Sequence, residues 1–155
     1  MTMLRRLAWS SVPSPSFSVA RLNEIVARSR RNNERNHVSG MLLFTGTNFL
    51  AILEGEGADL DHLWRRLEDD GRHRDLLRIG YDLCGRRMFP EWMMGYLVDP
   101  DVDAQIATIR SLQPPIERNG ADARVQGGTV CTPPARSPPP WARLMGSIML
   151  RADCM

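Results

Sequence analysis

Apolar residues are concentrated in one stretch of the chain, residues 38–57, which reads VSGMLLFTGTNFLAILEGEG. Two runs within it, 38–44 and 48–54, are apolar at nearly every position and are joined by a short connection that contains Gly46. Glycine permits a positive φ in such a connection, so the stretch predicts a β-hairpin. A half-exposed strand would alternate apolar and polar residues. We therefore predict that both strands lie at the centre of a sheet whose two faces are covered by helices or by a partner chain.

The periodicity of the flanking segments predicts two helices and three more strands. Residues 3–10 predict a first strand that Pro13 stops, and helical spacing after a serine N-cap at Ser16 or Ser18 predicts a helix that ends in the polar run 30–36. A second helix, capped by Asp59, is expected to end at residues 70–71. Residues 76–83 and 92–98 predict the fourth and fifth strands.

The resulting order, β-α-β-β-α-β-β, predicts an α+β fold in which two helices pack on one face of a sheet, the ferredoxin-like sandwich. Residues 3–98 are expected to form this domain. Residues 99–112 predict a capping helix, and 113–140 contain seven of the eleven prolines and predict a disordered linker. Residues 141–155 predict either a short amphipathic helix or a frayed tail.

Composition excludes several classes of protein. The chain has 155 residues, of which 43% are hydrophobic and 25% charged, and its net charge of +2 is too small to indicate nucleic-acid binding. Three dispersed cysteines suggest neither a disulfide framework nor a zinc site. No apolar run approaches the length that spans a membrane. We expect a cytoplasmic protein.

Signals of enzymatic chemistry are weak. The sequence has no GxSxG, HExxH or P-loop motif, and EGEG at 54–57 lacks the lysine of a phosphate loop. The acidic residues 69 and 70 lie at a helix end, where a solvated turn is more frequent than a catalytic pair of carboxylates. His37 and His62 are isolated. We therefore predict that the protein is not an enzyme and holds no metal.

Several polar residues could instead contact a ligand between the helices. Asn32 and Asn33 are either a helix C-cap or a hydrogen-bonding edge for a planar heterocycle, because a carboxamide carries both donors and an acceptor. Ile25 lies earlier on the same helix and could pack on the face of such a ring. Arg72 and His73 come directly after the second helix and could reach the same ligand, although such a pair is more often a surface feature.

Three motifs together resemble the BLUF family, the blue-light sensors that use flavin. They are SRRNNERNHVSGMLLFTGTNFLAILEG, then DDGRH at 69–73, then RRMFPEWMM at 86–94. The resemblance spans residues 3–98 and implies that a flavin, FAD or FMN, lies between the two helices. It implies that Asn33 bonds the O4 and N3 edge of the ring, with Asn32 beside it, and that Ile25 packs on the ring. Arg72 and His73 would meet the O2 side or the phosphate-bearing chain.

The resemblance also identifies the positions of the light reaction. That reaction needs a tyrosine on the first strand and a glutamine on the third, where this chain has Trp9 and Ala51. A tryptophan can still donate an electron, but a methyl group has no hydrogen bonds to rearrange. Trp92 and Met94, placed on the predicted fifth strand, match the positions that exchange near the flavin on signalling.

The function that the resemblance implies is a flavin-binding blue-light sensor domain that acts on a separate, unidentified protein partner and whose usual photocycle is impaired. The resemblance further implies a homodimer through the uncovered face of the sheet. Two alternatives stay open. The first is a flavin-free, light-independent interaction module on the same fold, and the second is a small-substrate enzyme on a ferredoxin-like scaffold.

Overall fold

The computed structural model describes residues 3–113 and 137–152. The first of these ranges contains five strands and three α-helices, and short 3-10 turns at Val19–Arg21 and Pro100–Val102 precede the first and third helices. The elements are β1 Leu4–Pro13, α1 Leu22–Arg35, β2 Ser39–Phe44, β3 Phe49–Glu56, α2 Gly57–Glu68, β4 His73–Leu83, β5 Gly95–Val98 and α3 Asp103–Ser111.

The five strands form one sheet in the order β4-β1-β3-β2-β5. Neighbouring strands are antiparallel except for β2 and β5, which are parallel. The first four strands have the ferredoxin-like arrangement, and β5 extends the sheet beyond β2. The predicted α+β fold and its element order are therefore confirmed.

One face of the sheet, called here the inner face, packs against α1 and α2. Alternate residues of the three central strands join apolar residues of both helices in this core, and they include Leu7, Leu42 and Leu53. Every residue of β2 is buried, as is every residue of β3 except Glu56. The prediction that the hairpin strands are covered on both faces is confirmed. Gly46 in the connection has a φ of 103°, the conformation that favours glycine.

The opposite, outer face carries the buried carboxylate of Glu54. It pairs with Arg6 at 2.8 Å and accepts hydrogen bonds from the backbone N–H groups of Met88 and Phe89. The three charge-assisted contacts from Met88 and Phe89 thus fix this segment over the sheet. At the other end of the hairpin, the Asp103 carboxylate of α3 accepts hydrogen bonds from side chains of residues 45, 47 and 48.

These contacts correct one premise of the sequence interpretation. The outer face is not uncovered, because residues 86–89 and α3 of the same chain lie on it. Arg110 of α3 donates to Ser10 Oγ on β1 at 3.0 Å, and its other nitrogen donates to the Asp75 carbonyl oxygen at 2.7 Å. The apolar outer face therefore gives no physical reason for a homodimer, which stays a prediction.

Several predicted boundaries are wrong. The predicted run 48–54 ends too early, because the pairing of β3 with β1 extends to Leu4 and β3 continues through Gly55 to Glu56. α2 then begins at Gly57 without a side-chain cap, so Asp59 lies inside the helix. α1 is preceded by the 3-10 turn rather than capped by Ser16 or Ser18.

The ends of β1, β4 and β5 also differ from the prediction. β1 runs through Pro13, which pairs with His73, so β4 already begins at that histidine. β5 begins only at Gly95, because its pairing with β2 starts at Met41. Trp92 and Met94 consequently precede the fifth strand instead of belonging to it.

The second described unit consists of residues 137–152 and contains one helix, α4 Pro140–Ala152. A helix therefore occupies most of the segment 141–155. The predicted linker 113–140 falls mainly on residues 114–136, which lie outside the described residues, and the proposed domain boundaries stay predictions. None of the described helices has the length and apolar character needed to cross a membrane.

Candidate functional site

Five residues form a row across the sheet at its inner face. The pairing register places them in the order Arg78, Trp9, Ala51, Leu42 and Tyr96, one from each strand. Directly opposed residues have Cβ atoms roughly 5 Å apart, so the Trp9 indole stands next to the Ala51 methyl group. Both are buried, and the indole Nε1 has no hydrogen-bond partner in the described part of the chain.

A cavity of about 290 Å³ lies above this row, between α1 and α2. Its size is near the lower end of small-molecule pockets, roughly 300 Å³ and upwards, which suits a planar ring system better than a bulky ligand. The sheet, both helices and the segment after α2 contribute its lining, which consists of Trp9, Phe17, Leu22, Ile25, Arg28, Ser29, Asn32, Asn33, Leu42, Phe49, Leu53, Leu63, Arg66, Leu67, Asp70, Arg72, His73 and Met94.

The α1 wall combines an apolar side chain with carboxamides. Ile25 and Asn32 lie seven residues apart, which places them on the same helix face. Asn33 is 3% exposed, and its Nδ2 donates to the Met93 carbonyl oxygen at 2.6 Å. This bond uses one of the two amide hydrogens of Asn33, so the second hydrogen and the amide oxygen can serve a ligand in the cavity.

His73 and Trp9 add unpartnered polar atoms to the cavity wall. Within the described residues, neither ring nitrogen of His73 has a hydrogen-bond partner, and the ring lies 5.7 Å from the Trp9 ring, centroid to centroid. Burial lowers the pKa of the His73 imidazole more strongly than the Asp70 carboxylate and a backbone contact with Leu67, which lacks hydrogen-bond geometry, raise it, so the ring is neutral at physiological pH. Buried polar atoms rarely stay unpartnered, so this wall is suited to a ligand that both donates and accepts hydrogen bonds.

The guanidinium of Arg72, which was predicted to contact a ligand, is already paired with Asp70. It makes three contacts of 2.6 to 3.1 Å with the Asp70 carboxylate, which also accepts from the Arg72 backbone N–H at 3.0 Å. Burial alone would raise the pKa of Asp70, but these hydrogen bonds outweigh it and the pKa is lowered. The pair is partly exposed at the cavity wall and leaves little of the arginine charge uncompensated.

The two predicted site residues before β5, Trp92 and Met94, lie in different surroundings. Met94 is 7% exposed and lines the cavity, whereas Trp92 is 41% exposed, does not line it and stacks on Phe89 with ring centroids 5.7 Å apart. The backbone of the segment is tied down, because Gly40 N–H donates to the Trp92 carbonyl and Arg30 to the Met94 carbonyl, each at 2.7 Å.

The structure thus brings seven of the nine predicted residues to one cavity and leaves out Ala51 and Trp92. The seven are Trp9, Ile25, Asn32, Asn33, Arg72, His73 and Met94. Ala51 is completely buried beside Trp9 without lining the cavity. Among the described residues, no group of three or more His, Cys, Asp or Glu side chains could hold a metal ion.

Two further lining residues are Arg28 and Arg66, which are exposed and were not among the predicted site residues. Both face the cavity, because each lies three residues after an apolar residue that lines it, Ile25 on α1 and Leu63 on α2. The spacing i, i+3 was readable in the sequence. They were not predicted because an exposed arginine on a helix is usually taken as a solvent-facing residue.

Comparisons with known proteins give a consistent result. A family model described as sensors of blue-light using FAD matches residues 4–95. The blue light- and temperature-regulated antirepressor BluF of Escherichia coli (strain K12) is 30% identical over 87 residues, which are 56% of this chain and 22% of that protein. The photoactivated adenylate cyclase subunit alpha of Euglena gracilis is 30% identical over 95 residues, 60% of this chain and 9% of that protein.

The chain therefore spans less than a quarter of the length of these two curated relatives.

Solved structures agree in fold. The dark-state structure of BlrB, a BLUF protein, gives a TM-score of 0.62 at 28% identity and covers 72% of this chain and 85% of that chain. A bacterial light-regulated adenylyl cyclase gives a TM-score of 0.62 at 28% identity over 70% of this chain and 33% of its own.

Proposed function

Because this chain belongs to the BLUF family, the sensors of blue light that use FAD, we propose that it binds a flavin between α1 and α2 and signals to a separate protein partner with an impaired photocycle. The observation that carries the proposal is the cavity between the helices, whose walls hold the unpartnered polar atoms of Trp9 and His73 together with Asn33. An isoalloxazine ring is planar and has alternating carbonyl and N–H groups, which suits these donors and acceptors.

Residues on three sides of the cavity would hold the ring. Asn33 offers an amide hydrogen and its oxygen to the O4 and N3 edge, and Asn32 lies beside it on the same helix end. Ile25 would cover one face of the ring. His73 would meet the O2 side with a neutral imidazole, which can donate at one nitrogen and accept at the other. Arg72 would contribute through its exposed edge, since Asp70 holds its guanidinium.

The cofactor is a flavin, FAD in the family description, and FMN would fit the same ring site. When bound, the flavin supplies absorption of blue light and an excited state that accepts an electron. The residues beneath the ring determine whether that electron transfer leads to a long-lived signalling form. Trp9 can donate the electron, but the proton on its Nε1 has no acceptor in the described structure.

The usual light response also needs a glutamine on the third strand, where this chain has Ala51. Its methyl group stands directly opposite Trp9 in the β1–β3 pairing, where a glutamine amide would donate and accept hydrogen bonds. A methyl group can do neither, so there is no amide whose rotation would store a light-induced state. We therefore expect binding and quenching of flavin fluorescence without a long-lived signalling form.

Illumination of the purified holoprotein tests this proposal. Under blue light the flavin absorption band should show no persistent red shift, and the double variant Trp9→Tyr with Ala51→Gln should acquire one. The matched control is Trp9→Tyr with Ala51→Leu, which restores a similar side-chain volume at residue 51 without an amide and should not shift.

Two results would contradict the proposal in different ways. A persistent red shift in the unmodified protein would show that the photocycle is intact. A protein that stays colourless after refolding with excess FAD would overturn flavin binding and favour the light-independent interaction module. The partner is proposed because the relatives include light-regulated cyclases and an antirepressor, which are effectors of two different kinds.

A further inference from the structure

The two helices that enclose the cavity present matching stripes to it. On α1 the stripe is Ile25, Arg28, Ser29 and Asn32, and on α2 it is Leu63, Arg66 and Leu67, which repeat the spacing i, i+3 and i+4. Asp70 also lines the cavity but lies beyond the end of α2. The second member of both stripes is an arginine. Since the helices face each other across the cavity, the structure places one guanidinium on each side of it.

These two arginines have no ion pair within the described residues, although acidic side chains are near in sequence. Glu24 lies four residues before Arg28, the spacing of a favourable helical pair, yet it contacts Arg21 at 3.4 Å instead. Asp70 lies four residues after Arg66, yet it is held by Arg72 at 2.6 Å. Glu24 and Asp70 thus pair with other arginines.

The remaining charges at the cavity wall leave a positive surplus. Arg72 and Asp70 compensate each other, and His73 is neutral because burial lowers its pKa. Arg28 and Arg66 are both exposed, which places their charges where the cavity meets solvent. The enclosed part of the cavity is lined mainly by apolar and aromatic side chains. Its ligand should therefore combine a flat, largely uncharged body with an anionic end that reaches the opening.

We infer that Arg28 and Arg66 form an anion site at the cavity opening that selects flavins carrying a phosphate group over unphosphorylated flavin. Arginine presents several N–H donors in a plane and binds phosphate oxygens in pairs, which suits either a phosphate monoester or a diphosphate. The inference rests on the proposed flavin site and adds the part of the ligand that this site distinguishes.

Affinity measurements with three flavins test the inference. Riboflavin has no phosphate, FMN has a phosphate monoester and FAD has a diphosphate. The dissociation constants of the apoprotein for the three flavins therefore show how much each phosphate group contributes to binding. FMN and FAD should bind more tightly than riboflavin, and this advantage should shrink as salt concentration rises. Arg28→Gln and Arg66→Gln should each reduce the affinity for FMN and FAD by roughly five- to tenfold and leave riboflavin binding nearly unchanged.

The helices supply their own controls. Arg31 on α1 and Arg65 on α2 are also exposed but do not line the cavity. Arg31→Gln and Arg65→Gln remove the same charge from the same helices and should not affect the preference for phosphorylated flavin.

Three outcomes would overturn the inference. Equal affinity for the three flavins would contradict the anion site and leave the proposed flavin site intact. An equal loss of affinity for FMN and FAD in the control variants would also contradict it, because it would indicate only a general effect of net charge. Failure of all three flavins to bind would overturn the proposed function together with this site. Circular dichroism of each variant identifies any loss that results from unfolding.

Discussion

The two faces of the central sheet treat their polar groups in opposite ways. On the outer face, the carboxylate of Glu54 is completely buried and yet is bound by Arg6 and by two backbone N–H groups. On the inner face, Trp9 Nε1 and both nitrogens of His73 are buried without partners among the described residues. A buried polar group that is fully bonded holds the fold together, whereas one left unbonded lowers stability until a ligand bonds it. Hydrogen-bond satisfaction thus separates a structural face from a face reserved for binding.

Removing the outer carboxylate should have the largest effect on this contrast. Glu54→Ala leaves the Arg6 guanidinium and the N–H groups of Met88 and Phe89 without their acceptor, so the free energy of unfolding should fall by about 3 kcal/mol. Urea unfolding followed by circular dichroism measures the change. The exposed neighbour Glu56 is the control, since Glu56→Ala should change stability by less than about 0.5 kcal/mol. Equal effects of the two substitutions would contradict a structural role for the outer face.

Removing an inner polar group should have a smaller effect of the opposite sign. His73→Phe keeps a ring beside Trp9 and eliminates two unpartnered nitrogens, so the apoprotein should gain about 1 kcal/mol of stability. The same variant should bind flavin more weakly because a hydrogen-bonding group of the site is gone. Unfolding of the apoprotein and flavin titration measure the two effects, with His62→Phe on the exposed side of α2 as the control. A loss of apoprotein stability would mean that His73 is part of the structural core.

The pH dependence of stability should give the smallest signal. The pKa of His73 is lowered in the folded apoprotein, chiefly by burial, from the value of 6.5 expected in the unfolded chain. Between the folded value and 6.5 the unfolded chain binds more protons, so stability should fall as pH decreases through this window. Unfolding at pH values from about 7 down to about 5 measures the slope, and His73→Phe should reduce it. An unchanged slope in that variant would assign the pH dependence to other groups.

The sequence was sufficient for the fold because its strongest signals are local and periodic. Two uninterrupted apolar runs around Gly46 predicted the central hairpin, and helical spacing on both sides predicted α1 and α2. The resemblance to the BLUF family then placed Asn33 and His73 at a common site, and the cavity contains both.

Features that depend on distant contacts were not predictable from these patterns. The role of Glu54 was not predicted, because nothing local shows that residues 86–89 return to bind its carboxylate. Trp92 and Met94 looked like strand residues, because the end of a strand is set by its pairing with β2 and not by its own composition. Arg28 and Arg66 were not predicted as site residues, although their spacing places them on the helix faces that line the cavity.

The bond between α3 and the hairpin connection has a consequence for the order of folding. Asp103 joins residues that lie 55 to 58 positions earlier in the chain, among them Thr45 and Asn48. The hairpin itself closes over a few residues and can form within microseconds, whereas closing so long a loop has a larger entropic cost. The Asp103 carboxylate also has no hydrogen-bond donors to bind until the side chains of Thr45, Thr47 and Asn48 have been brought together by the hairpin. We therefore expect α3 to dock after the hairpin has formed, and its loss to accelerate unfolding more than it slows folding.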